Sequence, residues 1–341
     1  MTKKESKIYV IHENDSWVDP LFKSLEELNV PFCDWFINDG KLNLNDVPPE
    51  GVFYNRMSAS AHSREHRYAV ELTESILSWL ELHHRKVINN RNALGLEVRK
   101  SEQQLWLNRF GILTPKTIVA NNKKDLLMAS IELNIFPFIV KPNRGGKGLG
   151  VKLYQSVKQL TIDLEADNIP DSLDGILLVQ EYIKPKDGRI TRMEFIGGKF
   201  YYAVSIDASD GFELCPADSC NIGDQFCPAT SNSINGETLR KFVILEDYSN
   251  PDMPLYHDFL EASGIKIGAI EYIREASGRK VVYDVNTNTN YNSEAESRTK
   301  NKYRGMYRIA QYLKEELRNL EPAQDHSFSY PFEELQRRSL A

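Results

Sequence analysis

Apolar and polar positions along this chain predict three successive groups of short strands and amphipathic helices. In the first group, strands are predicted at residues 7–12, 32–37, 52–54 and 87–90, with a helix at 19–28. From residue 65 to residue 85, Ala69, Leu72 and Ile76 recur at helical spacing, which predicts a long helix packed on the resulting sheet. The first group is therefore predicted to be a small α/β unit.

The second and third groups show the same mixture of short strands and helices. The second has predicted strands at 113–119, 138–140, 151–154 and 176–183, and helices at 124–133 and 156–164. The third has strands at 190–196, 199–206, 267–273 and 280–285, and helices at 254–263 and 303–317. Gly197-Gly198 gives a hairpin signal between two of these strands. Ser101 with Gln104 has the form of a capping box and predicts a further helix, which ends at Gly111.

These groups predict an α/β fold class with three units. The N-terminal unit is a small parallel α/β domain, and two α+β units follow it. The predicted boundaries are 1–95, 96–185 and 186–320, with a peripheral tail at 321–341.

Composition limits the classes of function. The chain has 341 residues, of which 41% are hydrophobic and 26% are charged, as in globular proteins with material for two or three cores. A formal net charge of -6 argues against a general nucleic-acid binder. No apolar run approaches the roughly 20 residues of a membrane helix, and the first residues contain no signal-type apolar segment. A cytoplasmic protein without a membrane partner is therefore expected.

The four cysteines are too few and too irregularly spaced for a disulfide scaffold. Cys215, Cys220 and Cys227 lie in the segment 207–240, which shows no clear period. No Cys-x-x-Cys or neighbouring histidine completes a zinc pattern there, so reduced thiols are favoured over a metal site. A loop of this length in a compact domain is usually functional or mobile.

A glycine-rich loop follows the apolar strand at 138–140. Pro142 is predicted to stop that strand, so Lys141 would leave its end with the ammonium directed into a cleft. The loop glycines are Gly145, Gly146, Gly148 and Gly150. They permit positive backbone dihedrals and a close approach of amides to phosphate oxygens, while Arg144 and Lys147 add positive charge. The spacing fits neither the Walker pattern nor the dinucleotide fingerprint, so a phosphate flap and a plain hairpin turn both stay open.

Oxygen-bearing side chains collect at the strands 267–273 and 280–285. Glu271 lies on one strand, and Asp284 and Asn286 share one face of the next, because strand side chains alternate with period two. Such oxygen-only ligands suit magnesium, with manganese as a second candidate. Taken alone, Glu271 and Asp284 would be interpreted as ordinary exposed strand residues. The polar run after Asn286, however, contains few side chains that could pack in a core, so packing does not explain why it is there.

These motifs together resemble the ATP-grasp carboxylate-amine ligases, particularly the branch that contains the ribosomal-protein glutamate ligase and glutathione synthetase. The motifs are Val140-Lys141-Pro142 with the loop at 145–150, Gln180-Glu181-Tyr182-Ile183, Arg192 before the Gly-Gly hairpin, and Glu271 followed by Asp284-Val285-Asn286. Their shared order and spacing, over about residues 50 to 300, support the resemblance. It implies that the two α+β units clasp ATP between them.

The resemblance also implies a role for each residue. Lys100 and Lys141 would hold the α- and β-phosphates, and the glycine loop would cover the γ-phosphate. Gln180, Glu181, Tyr182 and Ile183 would form the hinge that binds adenine, largely through backbone atoms. Glu271, Asp284 and Asn286 match the magnesium ligands. Arg192 matches an arginine that steadies the transferred phosphoryl group, so Arg192 and Lys141 are the candidate catalytic residues.

The chain departs from that branch at several positions. Glu271 and Asp284 exchange the usual order of Asp and Glu, which keeps both charges but alters their reach. Ile190-Thr191-Arg192 stands where Asp-x-Arg is common, and the usual small-Pro-Gly turn after Asn286 is missing. The segment 207–240 lacks the branch's Asn- and Arg-rich pattern.

The implied reaction joins a carboxylate and an amine through an acyl phosphate, with ATP as the phosphoryl donor. Two alternatives stay open: a kinase that phosphorylates a small-molecule hydroxyl, and an ATP-binding protein without catalysis. The expected partners are small carboxylate and amine substrates or a peptide. Arg56, Arg64 and Arg67 mildly favour an anionic amino acid or peptide, although surface charge explains them equally well. A homodimer is the default expectation.

Overall fold

The structure is a computed structural model that describes residues 6–146, 148–208 and 241–320. Its first sheet contains β1 (Lys7–His12), β2 (Phe32–Phe36), β3 (Gly51–Asn55) and β4 (Lys86–Ile88) in the order β2-β1-β3-β4. All its strand pairs are parallel. Two helices pack with it, α1 (Asp15–Glu27) and α2 (Ala69–Leu82), and a 3-10 helix spans Ala61–Arg64. β3 is buried along its whole length, as expected for an inner strand of a covered parallel sheet.

The chain continues through two helices into an antiparallel sheet. The helices are α3 (Arg91–Val98) and α4 (Lys100–Arg109). The second sheet contains β5 (Thr117–Ala120), β6 (Phe138–Pro142), β7 (Lys152–Tyr154) and β8 (Leu177–Glu181) in the order β5-β8-β6-β7. It is joined by α5 (Lys123–Leu133) and α6 (Val157–Glu165). β6 and β7 form the predicted hairpin around the glycine loop.

The third sheet is also antiparallel and has the order β11-β10-β9-β12-β13. Its strands are β9 (Arg189–Ile196), β10 (Lys199–Asp207), β11 (Phe242–Leu245), β12 (Ile267–Arg274) and β13 (Lys280–Asn286). The accompanying helices are α7 (Met253–Ser263), α8 (Ser293–Ser297) and α9 (Gly305–Arg318). The predicted hairpin at Gly197-Gly198 is present, and Gly264 ends α7 with a φ of 75° that favours glycine. No helix in the described ranges is both long and apolar enough to cross a bilayer.

One hydrophobic core joins the first and third sheets. Ile8 and Val52 of the first sheet share it with Ile190 and Ile267 of the third. The last helix, α9, contributes Ile309, Ala310 and Leu313 to the same core. The α3–α4 pair packs instead against β13 and α7 in a second core. Helix α9, at the end of the described chain, therefore packs in the core that the first and third units share.

The predicted fold class is confirmed, because the protein combines a parallel sheet with antiparallel sheets and helices. Each sheet lies within one of the predicted ranges, although the division into 1–95, 96–185 and 186–320 stays a prediction. The tail at 321–341, Cys215, Cys220, Cys227 and Lys147 lie outside the described residues. β11 and α8 were not predicted: β11 adjoins the segment without a period, and α8 has too few apolar positions to show one.

Two predicted details are wrong. Ser101 is not a helix cap, because α4 begins at Lys100 and the Ser101 N–H donates to the Asn143 side chain at 2.9 Å. A residue distant in sequence thus takes the role expected of a local cap. The strand predicted at 138–140 is longer, because β6 includes Lys141 and ends at Pro142, so Lys141 does not leave the strand before the proline. Pairing with β8 continues because the next N–H, from Asn143, donates to Ile176 O at 3.0 Å.

Candidate functional site

A cleft of about 610 Å³ lies where the three units meet. Most of the predicted site residues line it: Lys100, Lys141, Gly145, Gly146, Gly148, Gln180, Glu181, Tyr182, Ile183, Arg192, Glu271, Asp284 and Asn286. The first unit adds Ser58, Ala59 and Ser60, and α3 adds Glu97. Residues far apart in sequence are thus brought to one cavity, as the motif order predicted.

Two lysines stand on one side of the cleft. Lys141 is buried in β6, and burial, followed by the neighbouring Lys100, lowers its pKa to about 7, with Asp284 opposing the shift. Lys100 donates to Asp284 Oδ1 at 2.5 Å. Burial alone would lower the pKa of Lys100, but Asp284 raises it above its ordinary value. Lys100 is therefore a fixed cation. No carboxylate of the described residues lies within hydrogen-bonding distance of Lys141, which is suited to an incoming anion.

The acidic side of the cleft is built around Arg192. This buried guanidinium donates to Glu194 Oε1 at 2.6 Å and to Glu271 Oε1 at 2.7 Å. Burial alone would lower its pKa, but the two carboxylates hold it above the ordinary value. Burial raises the pKa of Glu194 to about 7, against the lowering effect of Arg192. Arg192 is thus locked between two glutamates and cannot reorient freely.

A β-bulge shapes the predicted metal site. Glu271 lies opposite Asp284 across β12 and β13, and Asn286 lies opposite Ala269, so the three polar side chains share a face. The register shift makes Tyr283 the extra residue, and its hydroxyl donates to Glu271 Oε2 at 2.6 Å. Asn286 Nδ2 donates to Glu271 Oε1 at 3.1 Å, which turns its amide group toward that carboxylate. Two carboxylates and an amide on facing strands form a donor set that fits magnesium.

The predicted hinge lies between β8 and the third sheet. The Glu181 N–H donates to Lys116 O at 2.8 Å, and the Gln180 side chain donates to Thr117 Oγ1 at 2.7 Å. The Ile183 N–H forms no hydrogen bond to any residue that the structure describes. Around the hinge, the cleft is lined by apolar side chains: Ile139, Leu153, Ile183 and Ile273. A flat aromatic base would find apolar contacts and one backbone donor there.

Arg144 does not line the cleft. Its Nη1 donates to Glu71 Oε1 of α2 at 2.7 Å, so its side chain points from the glycine loop toward the first unit. The other predicted loop cation, Lys147, lies outside the described residues. The role of Arg144 as a phosphate-side cation stays a prediction, and its observed contact ties the loop to α2.

The arginines that favoured an anionic substrate make contacts within the protein. Arg56 is buried and donates to main-chain carbonyls of the first unit and of the turn after β13. Arg64 forms a two-bond pair with the buried Glu13, at 2.6 and 2.9 Å. Arg67 donates to Leu173 O at 3.3 Å. None of these three lines the cleft, so they give no support for an anionic substrate.

The sequence reasoning missed Glu97 and Tyr283, both of which line the cleft. Tyr283 reaches the site only through the β-bulge, which strand periodicity does not reveal. Glu97 lies in a helix that was expected to be a charged domain boundary. The only signal for it was its position three residues before Lys100.

Gly146→Phe is expected to lower turnover by about tenfold or more, because misplaced loop atoms weaken the alignment of reacting groups. A Cβ at Gly146 would meet Ser60 Cβ at 3.4 Å and Oγ at 3.6 Å, which leaves room for a methyl group but not for a ring. Gly146→Ala is therefore the matched control and should stay close to wild type. Steady-state ADP release checks both variants, and equal turnover for Phe and Ala would contradict the tight loop contact.

Comparison with known proteins finds a similarity over part of the chain that lines the cleft. Residues 99–213 match the family model described as the RimK-like ATP-grasp domain. The resemblance drawn from the motifs is thereby confirmed, with residues 1–98 and 214–341 outside the match.

Relatives and solved structures agree with this ATP-grasp assignment. A protein of Teredinibacter turnerae named probable alpha-L-glutamate ligase is 29% identical over 140 residues, which are 40% of this chain and 44% of that protein. The chain thus spans less than half of the curated relative. The crystal structure of D-cycloserine synthetase DcsG superposes with a TM-score of 0.60 at 18% identity, over 91% of this chain and 99% of that one. The ATP-grasp ligase PsnB, solved with a minimal precursor, Mg and ADP, superposes with a TM-score of 0.60 at 15% identity, over 93% of this chain and 99% of that one. The ATP-grasp fold extends beyond the matched domain.

Proposed function

We propose that this protein is an ATP-dependent carboxylate-amine ligase that forms an amide bond through an acyl phosphate. The observation that supports this most is the cleft itself. Its wall includes the buried Lys141, the glycine loop, Arg192 and the three oxygen-bearing side chains of Glu271, Asp284 and Asn286. Such an arrangement suits transfer of a phosphoryl group to an acceptor oxygen.

In the proposed complex, the residues divide the tasks of binding. Lys100 and Lys141 would hold the α- and β-phosphates, and Glu271, Asp284 and Asn286 would hold magnesium, which neutralises phosphate charge. The apolar slot beside Ile183 would take adenine, with its backbone N–H as the donor. The glycine loop, at its contact with Ser60, would cover the transferred group and keep water away from it.

The chemistry that the chain's own residues supply is mainly electrostatic. Phosphoryl transfer needs positioning and charge neutralisation more than covalent help. Arg192 is held rigidly by Glu194 and Glu271, so its remaining N–H groups are preorganised toward the cleft that it lines. In the second half of the reaction, the substrate carbonyl would accept an amine and release phosphate.

The names of the relatives suggest a class of substrate. One is named a probable alpha-L-glutamate ligase, and PsnB was solved with a minimal precursor, Mg and ADP and, separately, with a precursor peptide. An amino acid or a peptide is therefore the proposed substrate of this chain, with ATP and magnesium. A cytoplasmic location and a homodimer remain expectations.

The first experiment offers magnesium-ATP and hydroxylamine with a pool of amino acids, short peptides and other carboxylates. Release of ADP with formation of a hydroxamate, identified by mass spectrometry, is the expected result and would identify the acid. ADP release with a phosphorylated product and no hydroxamate would move the protein to the kinases. Nucleotide binding without turnover across the whole pool would leave a non-catalytic ATP-binding protein.

Asp284→Ala is expected to raise the magnesium concentration for half-maximal ADP release by about tenfold or more, since even indirect metal partners contribute that much. Loss of this carboxylate removes a ligand and also releases Lys100 from its ion pair. A magnesium titration at saturating ATP checks the expectation. The control is Asp252→Ala, a half-exposed carboxylate near Lys280 on the same unit. An unaltered titration for Asp284→Ala would refute its role as a ligand.

A further inference from the structure

Glu97 is a buried carboxylate on the wall of the cleft. It lies near the end of α3 with 8% of its surface exposed. Its Oε2 accepts hydrogen bonds from the Thr287 N–H at 2.6 Å and from Thr287 Oγ1 at 3.2 Å. The Ala59 backbone amide also acts on this carboxylate, which lines the cavity and forms no ion pair within the described part of the chain.

The other carboxylates of the cleft wall are already engaged by donors or cations. Asp284 is paired with Lys100, and Glu181 with Arg279. Glu271 accepts hydrogen bonds from Arg192, Tyr283 and Asn286. Among the lining carboxylates that the structure describes, Glu97 alone forms no ion pair. A carboxylate without a bound cation is the one best able to accept a proton.

The proposed ligase reaction needs such a group. An amine substrate enters as an ammonium ion at neutral pH and has no lone pair with which to attack an acyl phosphate. A general base positioned in the cleft removes this barrier, and such catalysis is usually worth about 10² to 10⁴ in rate. Lys141 and Lys100 cannot serve, because the proposed phosphate contacts keep both protonated.

We propose that Glu97 is the general base that accepts a proton from the acceptor ammonium, a role that rests on the proposed ligase function. The N–H bond breaks and the proton moves to the Glu97 carboxylate. The freed lone pair forms the C–N bond at the acyl carbonyl, and the C–O bond to phosphate breaks with its electrons leaving on phosphate. The second nitrogen proton then passes to phosphate or solvent, so charge and atoms balance.

The surroundings of Glu97 agree with this role. The groups that act on its carboxyl are the Thr287 and Ala59 backbone amides, Asp284 and Lys100. Burial raises the pKa of Glu97, Asp284 raises it further, and the amides and Lys100 oppose the shift. The net increase makes it a stronger base than an exposed glutamate. Its contacts also place it between the first unit and the turn after the predicted metal ligands.

The test compares two nucleophiles in the variant Glu97→Gln, whose amide oxygen can still accept from Thr287. Hydroxylamine is largely neutral at neutral pH and needs no base, whereas an amino acid or peptide amine is protonated. With the acid and amine that wild type joins from the pool, the ratio of amide to hydroxamate should fall about 100-fold. Raising the pH should restore amide formation, because the amine then loses its proton in solution.

Thr287→Val provides the control for a purely structural role of Glu97. It removes the 3.2 Å hydroxyl contact and should lower both products together, without changing their ratio. An unchanged ratio in Glu97→Gln would overturn the proposal while leaving the ligase function intact. If wild type formed hydroxamate but no amide at any pH, the proposal that an ammonium is the acceptor would be wrong. The proposed role of Glu97 as its general base would then be wrong as well. No hydroxamate from wild type would instead be the failure of the proposed function.

Discussion

Lys141→Met is expected to lower magnesium-ATP-dependent ADP release by about 10² to 10³-fold, the cost of losing one preorganised charge at a reaction centre. Lys141 lies inside β6 with 6% of its surface exposed and lines the cleft. Its nearest charged neighbours, Lys100 and Asp284, belong to one another as an ion pair. The proposed phosphate groups would therefore be its main counter-charge.

The same substitution should not destabilise the fold. Burial lowers the Lys141 pKa to about 7 from 10.5, so between these values the unfolded chain binds more protons than the folded protein. The free energy of unfolding of wild type should therefore rise with pH across this window. Methionine has no ammonium to neutralise, so the free energy of unfolding of the variant should not rise with pH in this way. At about pH 7 the variant should be at least as stable as wild type.

Urea unfolding at about pH 6 and about pH 9, together with ADP release, checks both parts of this expectation. Lys152→Met is the matched control, because Lys152 pairs with β6 on the neighbouring strand but bonds Asn168 and does not line the cleft. Loss of activity with retained stability in Lys141→Met alone is the expected pattern. Unchanged ADP release would remove Lys141 from the proposed site.

The elements with a local signature were predicted from the sequence. The β6–β7 hairpin, the Gly197-Gly198 turn and the helix that Gly264 ends depend on residues near one another in the chain, and the structure contains all three. The candidate site followed from the motif order and from the resemblance to the ATP-grasp ligases, which assigned Lys100, the hinge and Arg192. Most of its predicted residues do line one cavity.

The remaining features depend on contacts between distant segments. Asn143 caps α4 from 42 residues away, a relation that no local pattern contains. The bulge that brings Tyr283 to Glu271 follows from pairing between β12 and β13. Arg144 looked like a loop cation, yet its partner Glu71 lies on a helix 73 residues earlier. Glu97 matters because the fold pairs the other described carboxylates of the cleft wall with cations, which no local pattern reveals.

Arg192→Met is expected to be the most destabilising of the substitutions considered, by about 3 to 5 kcal/mol, because it leaves uncompensated charge in the interior. Glu194 and Glu271 would both lose their shared cation, and Glu194 is 2% exposed. Activity should also be lost, since Arg192 lines the cleft. Urea unfolding measures the stability, and Arg189→Met, on the same strand but only partly buried, is the control.

The pH dependence of stability distinguishes uncompensated buried charge from a simple loss of packing in Arg192→Met. Burial raises the Glu194 pKa from 4.5 to about 7, so in this window the folded protein binds more protons than the unfolded chain. Stability should fall as pH rises through the window, and the fall should extend to higher pH when Arg192 no longer opposes the shift. The double variant Arg192→Met/Glu194→Gln should recover part of the lost stability, and its stability should depend less on pH. An equal loss at every pH, with no recovery in the double variant, would show that the side chain of Arg192 stabilises the fold by packing and not by its charge.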